Sequence, residues 1–134
     1  MQRIRETVDA VDPAGEYFRI EDTGLDVEIM LTVATDNEEG GAKDFDKADG
    51  VMFLDRELGL GLAAGPNLIC GDTSSDVPMV AASLGRTDRT WAAFVTTKKE
   101  LRKRVADLCP NTFLTDRPDV LVTVLNELAM KRSK

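Results

Sequence analysis

From Asp46 to the carboxyl end, short apolar runs alternate with stretches of helical period, and this alternation most narrows what the chain can fold into. A helix is predicted from about Asp46 to Leu58, with Val51, Leu54 and Leu58 on one face and the Gly59 and Gly61 pair as its stop. Asn67 to Cys70 follows, an apolar run of the kind found in fully buried strands. Asp76 is placed to cap the next helix, since Pro78 falls in its first turn, where a missing amide hydrogen costs nothing. Trp91 to Val95 reads as another buried strand, and Thr97 with Glu100 as a capping box for a helix carrying Leu101, Val105 and Leu108. Thr112 to Leu114 gives a last strand, and Asp116 caps a final helix in which Val120, Val124 and Leu128 recur every fourth residue. Strands and helices in strict turn predict an α/β fold, a mostly parallel sheet with helices on its faces.

The first third is different. Ile4, Val8 and Val11 recur at helical spacing until Pro13 and Gly15. Tyr17, Phe18 and Ile20 predict a strand, Gly24 a turn, and Val27, Ile29, Leu31 and Val33 alternate as a half-buried strand requires, so the pair reads as a hairpin. Asp36 to Asp44, rich in Asn, Glu and Gly, reads as a polar loop. The expected division is therefore 1–43 and 44–134.

Composition removes several functions. The chain has no histidine, which excludes Ser-His-Asp and Cys-His catalysis and zinc sites built on imidazole. Acid and base work then falls to carboxylates or lysine. A net charge of −7 argues against nucleic acid as a partner, because that affinity is built on clustered Lys and Arg. The one basic run, Lys98, Lys99, Arg102, Lys103 and Arg104, falls on a predicted helix as a solvated face. Cys70 and Cys109 are read as free thiols at small buried positions. No stretch approaches the roughly 20 apolar residues that cross a bilayer, and no apolar leader is evident, so a cytoplasmic protein without a membrane partner is expected.

The chemistry-bearing stretch is Cys70-Gly71-Asp72-Thr73-Ser74-Ser75-Asp76. An apolar strand ends in Gly-Asp, and a second aspartate stands four residues on at a helix start. Two carboxylates thus converge at the carboxyl end of a parallel strand, the edge where open α/β sheets bind ligands. Asp72 and Asp76 have the hard oxygen chemistry that Mg2+ takes, while Thr73, Ser74 and Ser75 can donate to oxygens or brace the acids. A turn residue and a helix cap are the ordinary uses of such aspartates. Lys47 stands at a predicted helix amino terminus, where it opposes the local dipole and calls for an anion. A phosphate group would serve, although Asp46 and Asp49 beside it could suffice.

These residues together resemble the third and fourth motifs of the haloacid dehalogenase superfamily of phosphatases. Phe45-Asp46-Lys47-Ala48-Asp49-Gly50 and the Gly71 to Met79 segment look most like its trehalose-6-phosphate phosphatase family, with Ala48 where a glycine is usual. The resemblance covers about residues 44 to 128. It implies a Rossmann-like core in 44–134 and a cap-like or cap-connecting segment in 1–43. It also implies Lys47 on the phosphoryl group, assisted by Thr73, and Asp72 and Asp76 on Mg2+. A sugar phosphate, trehalose-6-phosphate before others, is the implied substrate. Glu21 and Glu28 are the candidates for gripping sugar hydroxyls, as acidic and basic cap residues do in the family.

One part of the pattern is missing. The superfamily's nucleophile is an aspartate at the end of an apolar strand, followed two residues later by an aspartate acting as acid and base. Asp22 to Asp26, Asp44 to Asp46 and Asp55 to Glu57 do not supply that strand and pair. The resemblance therefore implies a sheet incomplete at its central nucleophile strand, with an unpaired edge that invites another chain. The chain would be the carboxyl-terminal part of a longer enzyme, inactive alone, or would pair with a second chain or a second copy. As a non-catalytic relative, it would instead be a regulatory or assembly domain of a trehalose-6-phosphate synthase complex. A receiver-like or flavodoxin-like domain is a further reading, and it requires a complete five-stranded sheet.

Overall fold

The computed structural model describes residues 1–22, 24, 26–34 and 42–132. It divides into two compact units, Met1–Phe45 and Asp46–Lys134.

In the first unit, helix α1 (Gln2–Val11) turns one buried residue, Val8, inward. Strands β1 (Phe18–Asp22), β2 (Val27–Ala34) and β3 (Ala42–Asp44) form an antiparallel sheet in that order. Part of the expected polar loop is thus a strand: Thr32 pairs with Asp44 and Val33 with Lys43, because the half-buried β2 has a second edge to satisfy. The Asp36 to Gly41 portion lies outside the described residues. The expected hairpin is present, in a register that sets Ile20 opposite Ile29 and Glu21 opposite Glu28.

Asp12 makes the joint between α1 and β1. Its buried carboxylate accepts the backbone N–H groups of Glu16, Tyr17 and Phe18 at 3.0, 2.8 and 2.9 Å. Burial pushes this carboxyl up, but the amides outweigh it and hold it below the ordinary aspartate value of 3.8. A carboxyl depressed in the fold stabilises fully above its unfolded value and loses that contribution as pH falls through the folded one. Acid titration of unfolding should therefore show a loss of stability below pH 3.8 that is shallower in Asp12→Asn.

The second unit carries helices α2 (Lys47–Leu58), α3 (Val77–Leu84), α4 (Lys99–Leu108) and α5 (Pro118–Arg132). Its strands β4 (Asn67–Gly71), β5 (Thr90–Val95) and β6 (Thr112–Thr115) form a parallel sheet in the order β4-β5-β6, a Rossmann-like arrangement. A three-stranded sheet does not meet the requirement of the receiver-like reading. Phe94 and Ala92 of β5 pack with Val77 and Val80 of α3, Leu101 and Val105 of α4, and Cys109. Phe94, Val80 and Val105 are fully buried, each contributing roughly 1.5–3 kcal/mol.

Burial differs from the sequence reading at three places. β4 is half-exposed rather than fully buried: Leu68 is 46% exposed and Cys70 is also exposed, unlike the buried Cys109. Its apolar composition suits two covered faces, but β4 is an edge strand, with β5 as its one neighbour among the described residues. Trp91, paired in register with Leu68, is 52% exposed on the same sheet face. Leu54 and Leu58 of α2 are likewise exposed, and α2 contains no buried residue.

A polar network ties the base of β4 to α3. Asn67 donates to Ser83 Oγ at 3.0 Å and to the Leu62 carbonyl at 2.8 Å, and Ser83 shares a 2.7 Å hydrogen bond with Thr90 Oγ1. Ser83 and Thr90 are fully buried. Ser83→Ala should cost about 1–2 kcal/mol in denaturant unfolding, because it strips a partner from the buried Thr90 and the partly buried Asn67.

Candidate functional site

The site is built where β4 gives way to α3. Beyond Gly71 the chain turns through Asp72 and Thr73 into a short 3-10 turn, Ser74–Asp76, which runs on into α3. The turn closes on itself through Asp76. Its Oδ2 accepts the Asp72 N–H at 2.9 Å, the Thr73 N–H at 3.0 Å and the Thr73 hydroxyl at 3.1 Å. Thr73 Oγ1 also lies 2.8 Å from Ser75 Oγ. Asp76 occupies the residue before α3, as expected, but its carboxylate makes no cap bond to that helix; it reaches back to brace the turn. Pro78 falls in the first turn of α3 as anticipated.

Lys47 reaches the same carboxylate. Its ammonium forms a salt bridge with Asp76 Oδ1 across 29 residues of sequence. The lysine is held at the start of α2 by a capping box. Asp46 Oδ1 accepts the amides of Ala48 and Asp49 at 2.7 and 3.1 Å, and Asp49 Oδ2 accepts the Asp46 amide at 2.9 Å. Asp46 and Asp76 thereby offset the unfavourable placement of a cation at the helix amino terminus. The box is legible in the sequence as Asp-x-x-Asp, although its role in orienting Lys47 is not.

Burial raises the Asp76 carboxyl, but the Lys47 ammonium, the Asp72 and Thr73 amides and the Thr73 hydroxyl together hold it well below the ordinary range. It is ionised at neutral pH. Each hydrogen-bond partner it has among the described residues is a donor, so its oxygens are largely committed within the chain. Asp72 is the complement: its amide serves Asp76 while its carboxylate is exposed and has no partner among the described residues.

Lys47, Asp76, Thr73 and Asp72 are therefore brought together at one end of a parallel strand. Ser75 joins them through Thr73, and Ser74 is exposed at the outer side of the turn. Glu21 and Glu28 belong to the first unit, where they face each other across β1 and β2, both exposed, with Arg19 3.5 Å from Glu21.

The donor set fits Mg2+ through one free carboxylate, that of Asp72. Mg2+ commonly takes one or two carboxylates and completes its octahedron with water and phosphate oxygens. Asp76 Oδ1 accepts one bond, from Lys47, so a metal joining it there would stand beside that ammonium. Among the described residues, no group of three or more Cys, Asp or Glu side chains is arranged to hold a metal by itself. No described helix is long and apolar enough to cross a membrane.

Comparison with known proteins places the chain. The family model described as trehalose-6-phosphate phosphatase, C-terminal, matches residues 1–121, so the family likeness extends through the amino-terminal third as well as the second unit. A trehalose-phosphatase of Caenorhabditis elegans is 30% identical over 78% of this chain and 23% of its own length. A trehalose-phosphatase of Brugia malayi is 29% identical over 93% of this chain and 25% of its own. The UDP-forming alpha,alpha-trehalose-phosphate synthase 2 of C. elegans is 28% identical over 97% of this chain but 11% of its own length. The chain thus spans a quarter or less of these relatives. With its family's model matched over residues 1–121 and its α/β core in place, the chain belongs to the trehalose-6-phosphate phosphatase family, as a domain of its carboxyl-terminal type.

Proposed function

We propose that the chain supplies the lysine and magnesium side of a trehalose-6-phosphate phosphatase site, working in the cytoplasm, with the aspartate nucleophile brought by a polypeptide segment that pairs with the free edge of β4. The observation that carries this is the Lys47 ammonium held on the Asp76 carboxylate beside the free carboxylate of Asp72, at the carboxyl end of a parallel strand. In this reading Lys47 binds phosphoryl oxygens and Thr73 adds a hydroxyl. Asp72 holds Mg2+, while Asp76 keeps Lys47 and the turn in place. Mg2+, when bound, neutralises charge on the phosphoryl oxygens. The edge position of β4, with β5 as its one neighbour among the described residues, supports an added strand, since an unpaired apolar edge is unfavourable alone. Free Cys70 and Cys109 agree with a reducing compartment.

The purified chain should bind Mg2+ in calorimetric titration, and Asp72→Asn should weaken that binding about tenfold, a loss of about 1.4 kcal/mol. With trehalose-6-phosphate and Mg2+ the chain alone should show no turnover. Adding a polypeptide with an apolar strand ending in Asp-x-Asp should restore it. A second reading, a regulatory or assembly domain within a synthase complex, is favoured by the lack of a long apolar strand leading into an Asp-x-Asp pair and by the match to 11% of a synthase. It predicts metal binding with no turnover under any such addition. Unchanged Mg2+ affinity in Asp72→Asn would count against the metal assignment in both.

A further inference from the structure

A cleft of about 460 Å3 opens between the Ser74 side of the turn and the first two turns of α4, lined by Ser74, Lys98, Lys99, Glu100, Leu101 and Arg104. Three cations and one carboxylate meet there, in a chain whose net charge is −7. Neighbouring cations on the same helix are already engaged. Arg102 donates to the Thr96 and Leu114 carbonyls at 3.0 and 3.4 Å, and Lys103 is paired with Asp107 at 2.5 Å. Lys98, Lys99 and Arg104 have no ion-pair partner among the described residues, although the chain carries 24 acidic side chains.

The opening of α4 departs from the capping box expected there. Thr96 Oγ1, buried beneath the helix, accepts the Lys98 amide at 3.2 Å, so the helix starts one residue later than a Thr97 cap requires and Lys98 stands at the N-cap. Lys98 makes no side-chain cap bond to the first turn. Unpaired like charges along one wall and a hydroxyl on the other suit a group with several anionic oxygens, for which ammonium and guanidinium groups are the usual donors.

We propose that this cleft is an oxyanion site that takes a phosphate group, free or esterified to a small molecule, through Lys98, Lys99, Arg104 and the Ser74 hydroxyl. It is separate from Lys47, which is engaged with Asp76, and it does not depend on the catalytic reading. The test is an amide NMR titration of the 15N-labelled chain with inorganic phosphate and, in a second arm, glycerol phosphate, at constant ionic strength set by sodium chloride. Lys47→Gln serves as the background, so that binding at the first site is removed. Saturable shifts at Ser74, Lys99, Glu100 and Leu101 are expected, with the dissociation constant raised about tenfold or more by Lys98→Gln, Lys99→Gln and Arg104→Gln combined. All three side chains are exposed, and a circular dichroism melt checks that the combined variant folds. Tighter binding of glycerol phosphate identifies an esterified ligand, and equal or tighter binding of inorganic phosphate identifies the free ion. Shifts that stay linear, that chloride reproduces, or that the combined variant leaves unchanged overturn the proposal.

Discussion

Replacing Asp76 with alanine should lower the unfolding free energy by about 3 kcal/mol in urea or guanidinium denaturation. The carboxylate is buried and accepts two amides and a hydroxyl on one oxygen and the Lys47 ammonium on the other. Alanine leaves the Asp72 and Thr73 amides facing a gap and frees the turn that presents Asp72. The Lys47 contribution is the smaller part, because that side chain is 53% exposed and solvent screens it. Asp76→Asn should cost less, about 2 kcal/mol, since a neutral oxygen still accepts some of these bonds. Acid dependence separates charge from shape. A carboxyl depressed in the fold gives its full stabilisation above the ordinary aspartate value of 3.8 and loses it as pH falls toward the folded value. Stability should therefore fall with acid in the native chain and less so in Asp76→Asn. Equal acid slopes in the two proteins, or a loss under about 1 kcal/mol in Asp76→Ala, would show that the turn holds itself without this carboxylate.

Gly71→Ala should cost about 2–3 kcal/mol and disturb the site with it. A methyl on Gly71 would lie 2.5 Å from Asp76 Cβ and 2.8 Å from two atoms of the Phe94 ring. Real carbon contacts are never so short, so something must move. Phe94 is completely buried in the core and has little room to give, which leaves Asp76 and its turn as the part displaced. The φ of Gly71 is not positive, so the penalty is steric contact and not backbone conformation. A smaller side chain at Phe94 should restore part of the loss if the ring is the obstacle, and Gly71→Ala combined with Phe94→Leu tests this by the coupling between the two sites. Simple additivity of the two changes would rule out the ring and leave the Asp76 Cβ as the obstacle.

The elements that were legible in the sequence are those set by short-range chemistry. The apolar period around Leu101 and Val105 marks a helix face, and both side chains are buried in the core. Pro78 and the Gly59 stop, which adopts a left-handed conformation after α2, sit where turn and cap chemistry put them. Less legible were positions where two local solutions compete. Thr96 and Thr97 could each bond an amide near the start of α4, and burial of Thr96 decided for the former. Apolar runs misled in a different way: Leu54, Leu58, Leu68 and Trp91 read as interior but are exposed. Composition reports what a surface is suited to touch, not whether anything covers it.

The sequence alone determined the alternation of strands and helices, the absence of imidazole chemistry, and the presence of one lysine and a Gly-Asp-x-x-x-Asp segment in the order a phosphatase half-site needs. Only the tertiary structure decided that the Lys47 ammonium meets Asp76 across 29 residues, that Asp76 commits its oxygens to the turn and Lys47 while Asp72 keeps its own free among the described residues, and that β4 stands at an edge of the described sheet. Periodicity and turn preference act over a few residues and are written locally. Which carboxylate faces inward, and which strand lacks a neighbour, depends on packing between segments distant in the chain.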